Sequence, residues 1–160
     1  MAQQDFFAHI CHAIAKVDAP PANLAIEITE NVLVSGIDQA MTLMSDLKAI
    51  GVECSIDDFG TGYSSLAYLK RFPARMIKID RSFVRDIHSD AESRSIARMI
   101  IALGNNLDME ILAEGVETQE ELDCLQALGC QQYQGYYFSH PVPFDSLLMM
   151  LHQSQLEIIE

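Results

Sequence analysis

The sequence has few basic residues: ten lysines and arginines stand against 23 aspartates and glutamates, which gives a net charge of −13 over 160 residues. Polymeric nucleic acid is bound mainly by basic side chains that neutralise phosphates, so this balance argues against a nucleic-acid-binding protein. An anionic small molecule is compatible with the charge if a metal ion mediates the contact.

Long apolar runs and ordered cysteine pairs are also missing. No stretch approaches the roughly 20 residues that cross a bilayer, and the chain opens on polar Gln3, Gln4 and Asp5 instead of a signal peptide. The four cysteines show neither a CxxC pair nor zinc-ligand spacing. Because Cys54 and Cys124 lie on apolar stripes, we expect buried free thiols in a cytoplasmic protein without membrane contact.

Apolar residues make up 49% of the chain and charged residues 21%, which is typical of a globular domain. Short β-branched segments alternate with segments of helical periodicity, and this order predicts parallel β-α units. The predicted strands cover residues 24–28, 52–56, 76–79, 111–113 and 132–134. The predicted helices cover 5–17, 38 to the Gly51 cap, 65–70, 91–103, 118 (with a capping box to Glu121) to Gly129, and 144–151.

A closed barrel of such units has eight strands and about 250 residues. Five strands therefore predict an α/β fold of the incomplete (β/α) TIM type, with its first units missing. No linker or low-complexity stretch interrupts the pattern, so we expect a single partial domain over residues 1–160.

Each predicted strand carries a polar residue at its C-terminal end, where barrel active sites are built. These residues are Glu27, Asp57, Lys78, Glu114 and Gln134. Strand side chains alternate between faces, and the neighbours of these residues are mostly apolar, so we expect the polar residues to face the barrel axis. Any one of them is compatible with an exposed residue at the start of a loop. Matching parity on five successive strands indicates a shared site.

Such a site needs cations. Two unit charges about 4 Å apart repel by about 4 kcal/mol at an effective dielectric constant of about 20, and Lys78 supplies only one positive charge. Oxygen ligands suit Mg²⁺ or Mn²⁺. The predicted ligands are Glu27, Asp57, Asp58 and Glu114.

The segment 57–65 is the most specific stretch. We expect the adjacent Asp57 and Asp58 to point to different sides, so that one bridges two cations and the other holds the second. Gly60 and Gly62 permit backbone conformations that a bound phosphate requires. A tight strand-to-helix turn capped by Ser64 is the alternative, and it does not account for both aspartates.

Five motifs occur in an order that resembles the EAL-domain family, whose members are metal-dependent phosphodiesterases that linearise the bacterial messenger cyclic di-GMP. The motifs are EITE (27–30), DDFGTGYSS (57–65), KID (78–80), EGVE (114–117) and QGY (134–136). The resemblance implies two-metal hydrolysis with Mg²⁺ or Mn²⁺, in which a metal-bound water attacks phosphorus.

The resemblance also implies roles for individual residues. Glu27 and Asp57 would bind metal, with Asp57 bridging two ions, and Asp58 and Glu114 would serve the second ion or its water. Lys78 would contact the attacking water or the phosphate. The remaining implied residues support the catalytic group, the loop or the substrate: Glu30, Gly60, Thr61, Gly62, Asp80, Glu117, Gln134 and Pro141.

The sequence departs from the family pattern at its start. The Glu-Ala-Leu motif and the following strand with its metal-binding asparagine are absent, so we expect the isolated chain to hydrolyse poorly. The expected partner is a second copy of the chain, in a homodimer, or the missing N-terminal part of the domain. His140 stands before Pro141, where many relatives have arginine or lysine.

Two other functions stay open at this point. The chain could be a non-catalytic module that binds cyclic di-GMP or docks to a protein. It could also be an unrelated barrel lyase or isomerase that uses Lys78 as a Schiff-base lysine, or its acids to hold Mg²⁺ beside an enolate.

Overall fold

The computed structural model describes residues 3–62 and 69–157 of the chain. Five strands form one parallel sheet in the order β1-β2-β3-β4-β5, so each strand pairs with the next one in the chain. The strands are β1 (Ala25–Thr29), β2 (Glu53–Phe59), β3 (Met76–Ile79), β4 (Glu110–Glu114) and β5 (Gln132–Gln134). The predicted α/β fold with five parallel strands is confirmed.

Helices connect and flank the strands. They are α1 (Gln3–Val17), α2 (Glu30–Ser35), α3 (Ile37–Ala49), α4 (Ala91–Asn106), α5 (Gln119–Ala127) and α6 (Phe144–Glu157), with 3₁₀ turns at Pro21–Asn23 and Arg81–Phe83. The predicted capping box of α5 is confirmed, because Thr118 Oγ1 accepts from Glu121 N at 3.2 Å and the Glu121 side chain bonds back. The predicted helix over 65–70 falls mostly outside the described residues. The short helix α2 was not predicted.

The core lies between one face of the sheet and the helices. Ile56 and Ile77 are fully buried there, together with Met44 of α3, Ile100 of α4 and Leu125 of α5. Because side chains alternate along a strand, burying this face leaves the polar residues on the other one. The fold thereby presents one apolar and one charged sheet surface.

The cysteines are free thiols. Cys54 and Cys130 are buried, and burial raises the pKa of both thiols. Cys124 is only half-buried, so the prediction of a buried thiol is wrong at that position. Its Sγ donates to Ile87 O at 3.8 Å.

A polar clamp closes the N-terminal edge of the charged surface. Arg75, directly before β3, donates to Glu110 Oε1 from Nε at 3.0 Å and from Nη2 at 2.8 Å, and its Nη1 pairs with Glu53. Gln132 Nε2 donates to Glu110 Oε2 at 2.9 Å. Exposed ion pairs contribute about 0–1 kcal/mol, so the clamp serves mainly to align the strand starts.

In the described part of the chain, β1 and β5 are edge strands, because each has a single neighbour in the sheet. Close to β5, several apolar side chains of α6 are exposed, among them Phe144 at 71% and Met149 at 62%. Among the described residues, no helix has the length and apolar character needed to cross a membrane.

Candidate functional site

The carboxylates at the end of β2 are placed by a β-bulge. Ile56 pairs with Ile77 and Phe59 with Ile79, so β2 carries one more residue than β3 between these pairs. Within the bulge, Asp58 has a φ of 52°, in the left-handed region. Strained conformations of this kind cluster at functional sites.

The bulge corrects the expectation that Asp57 and Asp58 point to different sides. Both offer a carboxylate oxygen to one group that also includes Glu114, and the three oxygens lie within 4.8 Å of one another. An extra residue in one strand shifts the alternation of side chains, which explains why neighbouring aspartates share a side. Strict alternation of side chains along β2 would therefore assign Asp58 to the wrong side of the sheet.

Lys78 lies at the centre of the charged surface. Its Nζ is 2.7 Å from Glu27 Oε1, 3.2 Å from Asp57 Oδ1 and 2.6 Å from Glu114 Oε1. The residue is buried, with 6% of its surface exposed. The four strands β1 to β4 therefore bring one ammonium and three carboxylates together.

These contacts keep Lys78 protonated. Burial alone lowers the pKa of Lys78, but the hydrogen bonds and charges of the surrounding carboxylates outweigh it, so the pKa lies above its usual value. An amine held as ammonium by three acids is a poor nucleophile. This geometry disfavours the Schiff-base alternative.

The acids repel one another despite the lysine. Burial raises the pKa of Glu114, and the charges of Asp57 and Glu27 add to this effect although Lys78 opposes it. Burial also raises the pKa of Asp58, with further contributions from Asp57 and Asp80. The cluster thus holds more negative charge than Lys78 balances.

One buried oxygen of the cluster has an ion-pair partner but no hydrogen-bond donor of good geometry in the described part of the chain. Asp57 Oδ1 is buried and accepts no hydrogen bond of good geometry from the described residues, although Lys78 Nζ lies within ion-pair distance. Lys78 shares its single charge among three carboxylates, so it offsets the cost of burying this oxygen only in part. Three converging carboxylates with such an oxygen fit a hard divalent cation, for which oxygen ligands are preferred.

Glu30 anchors the loop that follows β2. Its Oε2 accepts from Gly60 N at 2.8 Å and from Gly62 N at 3.2 Å, and the side chain is buried. Gly60 has a φ of 102°, and a Cβ there would lie 2.8 Å from the Phe83 ring, so only glycine fits. Thr61 Oγ1 donates to Asp58 O at 2.8 Å. The loop is thereby fixed to both the bulge and α2.

Of the other predicted site residues, Asp80 lies close enough to Asp58 to affect its pKa, and none forms an ion pair with Lys78 in the described structure. Asp80 Oδ1 accepts from Ser82 N at 3.0 Å, and the Glu117 side chain is exposed. Gln134 pairs with Glu114 in the sheet register but is exposed. Pro141 lines a cavity of about 520 Å³ beside β5. Their predicted roles are neither supported nor contradicted by these positions.

Glu121 has a role that its position in the sequence did not indicate. The sequence predicted only its part in the capping box with Thr118. Glu121 is 3% exposed, and its carboxylate accepts from three backbone amides in two loops. The capping-box spacing identified its bond to Thr118 N. Its contact with the distant Asp86 N has no local signal in the sequence.

Replacing Glu30 with alanine is expected to loosen the loop after β2. Gly60 N and Gly62 N would lose a buried acceptor, which costs about 1–3 kcal/mol of unfolding free energy. Since Asp58 directly precedes this loop, Mn²⁺ affinity should fall about tenfold. Urea unfolding and calorimetric Mn²⁺ titration measure both effects.

Glu92→Ala is the matched control, because Glu92 is an exposed acid in the first turn of α4, as Glu30 is in the first turn of α2. Equal losses in the two variants would show that helix-end charge, and not the loop anchor, is responsible.

A family model described as EAL domain matches residues 1–141 of this chain. Among curated proteins, the cyclic di-GMP phosphodiesterase NbdA of Pseudomonas aeruginosa is 45% identical over 136 residues, covering 85% of this chain and 17% of NbdA. The chain spans about a fifth of the length of the curated relatives it matches.

Solved structures show the same architecture. The phosphodiesterase PaMucR in complex with c-di-GMP superposes with a TM-score of 0.83 at 41% identity, over 86% of this chain and 56% of that chain. A manganese and c-di-GMP complex of Klebsiella pneumoniae BlrP1 superposes with a TM-score of 0.79 at 35% identity, over 86% of this chain and 35% of that chain.

Proposed function

Because this chain belongs to the EAL domain family, we propose that it carries out, or contributes its residues to, the metal-dependent hydrolysis of cyclic di-GMP to the linear dinucleotide. The observation that carries the proposal is the group of Asp57, Asp58 and Glu114, whose carboxylate oxygens lie within 4.8 Å of one another. Cyclic di-GMP is proposed as the substrate because NbdA is named a cyclic di-GMP phosphodiesterase and PaMucR is a phosphodiesterase solved in complex with c-di-GMP. As cyclic di-GMP is a bacterial second messenger, the proposed location is cytoplasmic.

The proposed cofactors are two Mg²⁺ or Mn²⁺ ions. Asp57, Asp58 and Glu114 would hold them, with Glu27 contributing from β1. Bound divalent ions activate water and offset charge that develops on a phosphoryl group. Asp57 Oδ1, which accepts no hydrogen bond of good geometry from the described residues, supports this assignment, as does the manganese in the BlrP1 complex.

Lys78 has an electrostatic role in this proposal. As an ammonium with three acids around it, Lys78 holds Glu27, Asp57 and Glu114 in place and offers positive charge to a phosphate oxygen. It neither donates an electron pair nor forms a covalent bond. Groups aimed at developing charge in a water-poor site are a major source of catalytic rate.

The outer residues have supporting roles. Glu117 and Asp80, on the loops that follow β4 and β3, are proposed as supporting acids at the rim. Gln134, beside Glu114 in the register, completes the polar ring. Pro141 would border the substrate from the cavity next to β5.

The domain is proposed to work with additional polypeptide, either a second copy in a homodimer or an N-terminal part of the same domain. The open β1 and β5 edges support this, because unpaired strand edges favour pairing with another chain. The exposed apolar side chains of α6 add surface for such a contact. On this account, the chain without its partner hydrolyses poorly.

The test is incubation of the chain with cyclic di-GMP and Mn²⁺, followed by chromatography for the linear dinucleotide, with and without a separately expressed N-terminal EAL segment. Hydrolysis that increases with the segment supports the proposal. Binding of cyclic di-GMP without any hydrolysis in either sample would favour the non-catalytic module instead.

A further inference from the structure

The loop that follows β4 is held by a buried carboxylate that the metal cluster does not use. Glu121 Oε2 accepts from Glu117 N at 2.8 Å and from Thr118 N at 3.1 Å. Both amides lie just after Glu114, which closes the metal cluster. Glu121 thus fixes the backbone on which a proposed metal ligand stands.

The second oxygen of Glu121 reaches a different loop. Oε1 accepts from Asp86 N at 3.0 Å, in the loop that connects β3 to α4. Asp86 has a φ of 57°, in the left-handed region, which aspartate adopts more readily than most residues other than glycine. This loop begins at Asp80, whose charge acts on Asp58. One side chain therefore joins the loops after β3 and β4.

A third loop contacts the same segment. Val116 N donates to Gln134 O at 3.1 Å, and Tyr137 N donates to Val116 O at 2.9 Å. Gly135 packs so closely that a Cβ there would lie 2.1 Å from Val116 O. The loops after β3, β4 and β5 thus meet at residues 115–118, with Glu121 beneath them.

The Glu121 carboxylate accepts more hydrogen bonds than a capping box requires. In a capping box, the side chain at the third helical position bonds only to the amide of the cap residue, here Thr118 N. Glu121 makes two further bonds, and among the described residues no cation pairs with it. Three amides from two loops satisfy its buried carboxylate instead.

We propose that Glu121 is a positioning residue for the phosphodiesterase site, one that sets Glu114 by locking the loops after β3 and β4 together; this rests on the proposed function. Glu121 contacts neither metal nor substrate. Loss of its acceptor oxygens lets the 114–118 backbone move, which weakens ion binding and slows turnover without changing substrate affinity.

The test compares Glu121→Gln with Glu120→Gln in the full chain. Glu120 is the exposed neighbour on the first turn of α5, so the control removes the same charge. Glutamine keeps one acceptor oxygen, and at least one of the two loops therefore loses its bond. Amide exchange by NMR and Mn²⁺ affinity by calorimetry are measured on both, and kcat and KM with cyclic di-GMP are measured on both with the N-terminal segment present.

In Glu121→Gln we expect exchange at Asp86, or at Glu117 and Thr118, to accelerate about tenfold or more. Mn²⁺ Kd should rise about tenfold, the scale set by residues that orient metal ligands. The value of kcat should fall similarly while KM stays within about twofold. Glu120→Gln should behave as the unmodified chain does.

Thr118→Ala separates positioning from helix stability, because it removes the cap hydroxyl but leaves the Glu121 carboxylate in place. If Thr118→Ala weakens Mn²⁺ binding as much as Glu121→Gln does, the role is that of a cap and the proposal is overturned. Mn²⁺ Kd in Glu121→Gln equal to that of the control also overturns it.

The same measurements distinguish an error in the proposed function from an error in the role of Glu121. If the unmodified chain neither binds Mn²⁺ nor hydrolyses cyclic di-GMP with its N-terminal segment present, that function is wrong. Accelerated exchange in Glu121→Gln then still supports the locking of the two loops, and unchanged exchange overturns it.

Discussion

Asp57→Asn is expected to abolish specific Mn²⁺ binding, with an increase in Kd of at least about a hundredfold, since even residues that only orient metal ligands cost 10- to 100-fold. The substitution keeps the size of the side chain but removes the negative charge of the carboxylate that contains the buried Oδ1. Hydrolysis of cyclic di-GMP should fall by a similar or larger factor.

The effect on stability has the opposite sign. Without metal, Asp57→Asn removes a negative charge from a group whose oxygens lie within 4.8 Å of one another. The metal-free variant should therefore be as stable as the original chain or more stable. The original chain should gain about 2.7 kcal/mol when free Mn²⁺ is a hundred times its Kd. Asp57→Asn should gain nothing, and thermal unfolding with and without Mn²⁺ measures the difference.

Asp46→Asn provides the control for non-specific attraction of cations to a chain of net charge −13. Asp46 is exposed on α3, away from the sheet surface that carries the site. Equal Mn²⁺ affinity in the Asp57 and Asp46 variants would remove Asp57 from the metal site.

Lys78→Ala is expected to lower turnover by about a hundredfold to a thousandfold, which is the usual cost of removing one electrostatic donor from an active site. Substrate affinity should change much less, because cyclic di-GMP offers other contacts. The measurement is kcat and KM with cyclic di-GMP, made on the assembly that is active.

The same substitution should make the fold dependent on metal. Without the ammonium, the carboxylates of Asp57 and Glu114 repel each other by about 3–4 kcal/mol at an effective dielectric constant of about 20. Added Mn²⁺ should restore a large part of the lost stability. Lys78→Met keeps the aliphatic volume, so it separates loss of charge from loss of packing.

Lys48→Ala is the matched control, since Lys48 is an exposed lysine in the last turn of α3. Near-normal turnover in Lys78→Met would exclude Lys78 from the mechanism. A covalent adduct of Lys78 after borohydride treatment with a carbonyl compound, the class of substrate that a Schiff base requires, would instead favour the lyase or isomerase alternative.

Most of the site could be predicted from the alternation of side chains along the strands. The parity of Glu27, Lys78 and Glu114 in their strands placed them on one face, and the structure joins them there. This works because a parallel sheet with one apolar face leaves a single register in which that face is buried. The five strands were predictable from short β-branched segments, and most helices from the 3.6-residue spacing of their apolar residues and from their caps.

Features without local periodicity were not predictable. The bulge at Asp58 depends on how β2 pairs with β3, so the common direction of the two aspartates could not be read from their order. Helix α2 has six residues and begins directly after β1 without a turn residue. The bond from Asp86 N to Glu121 joins residues far apart in the chain, and only the folded arrangement of the loops creates it.

The strand order has a consequence for how the protein is made on the ribosome. Because each strand pairs with the one synthesised just before it, a growing chain can add β2 to β1, then β3, then β4, without waiting for its C-terminus. The acids of β1 and β2 emerge first, and their counter-charge, Lys78, follows only on β3. Until that strand docks, Glu27 and Asp57 lack the ammonium that both contact in the folded chain. Partial chains that end before β3 should therefore form the charged face of the sheet less readily than chains that include Lys78.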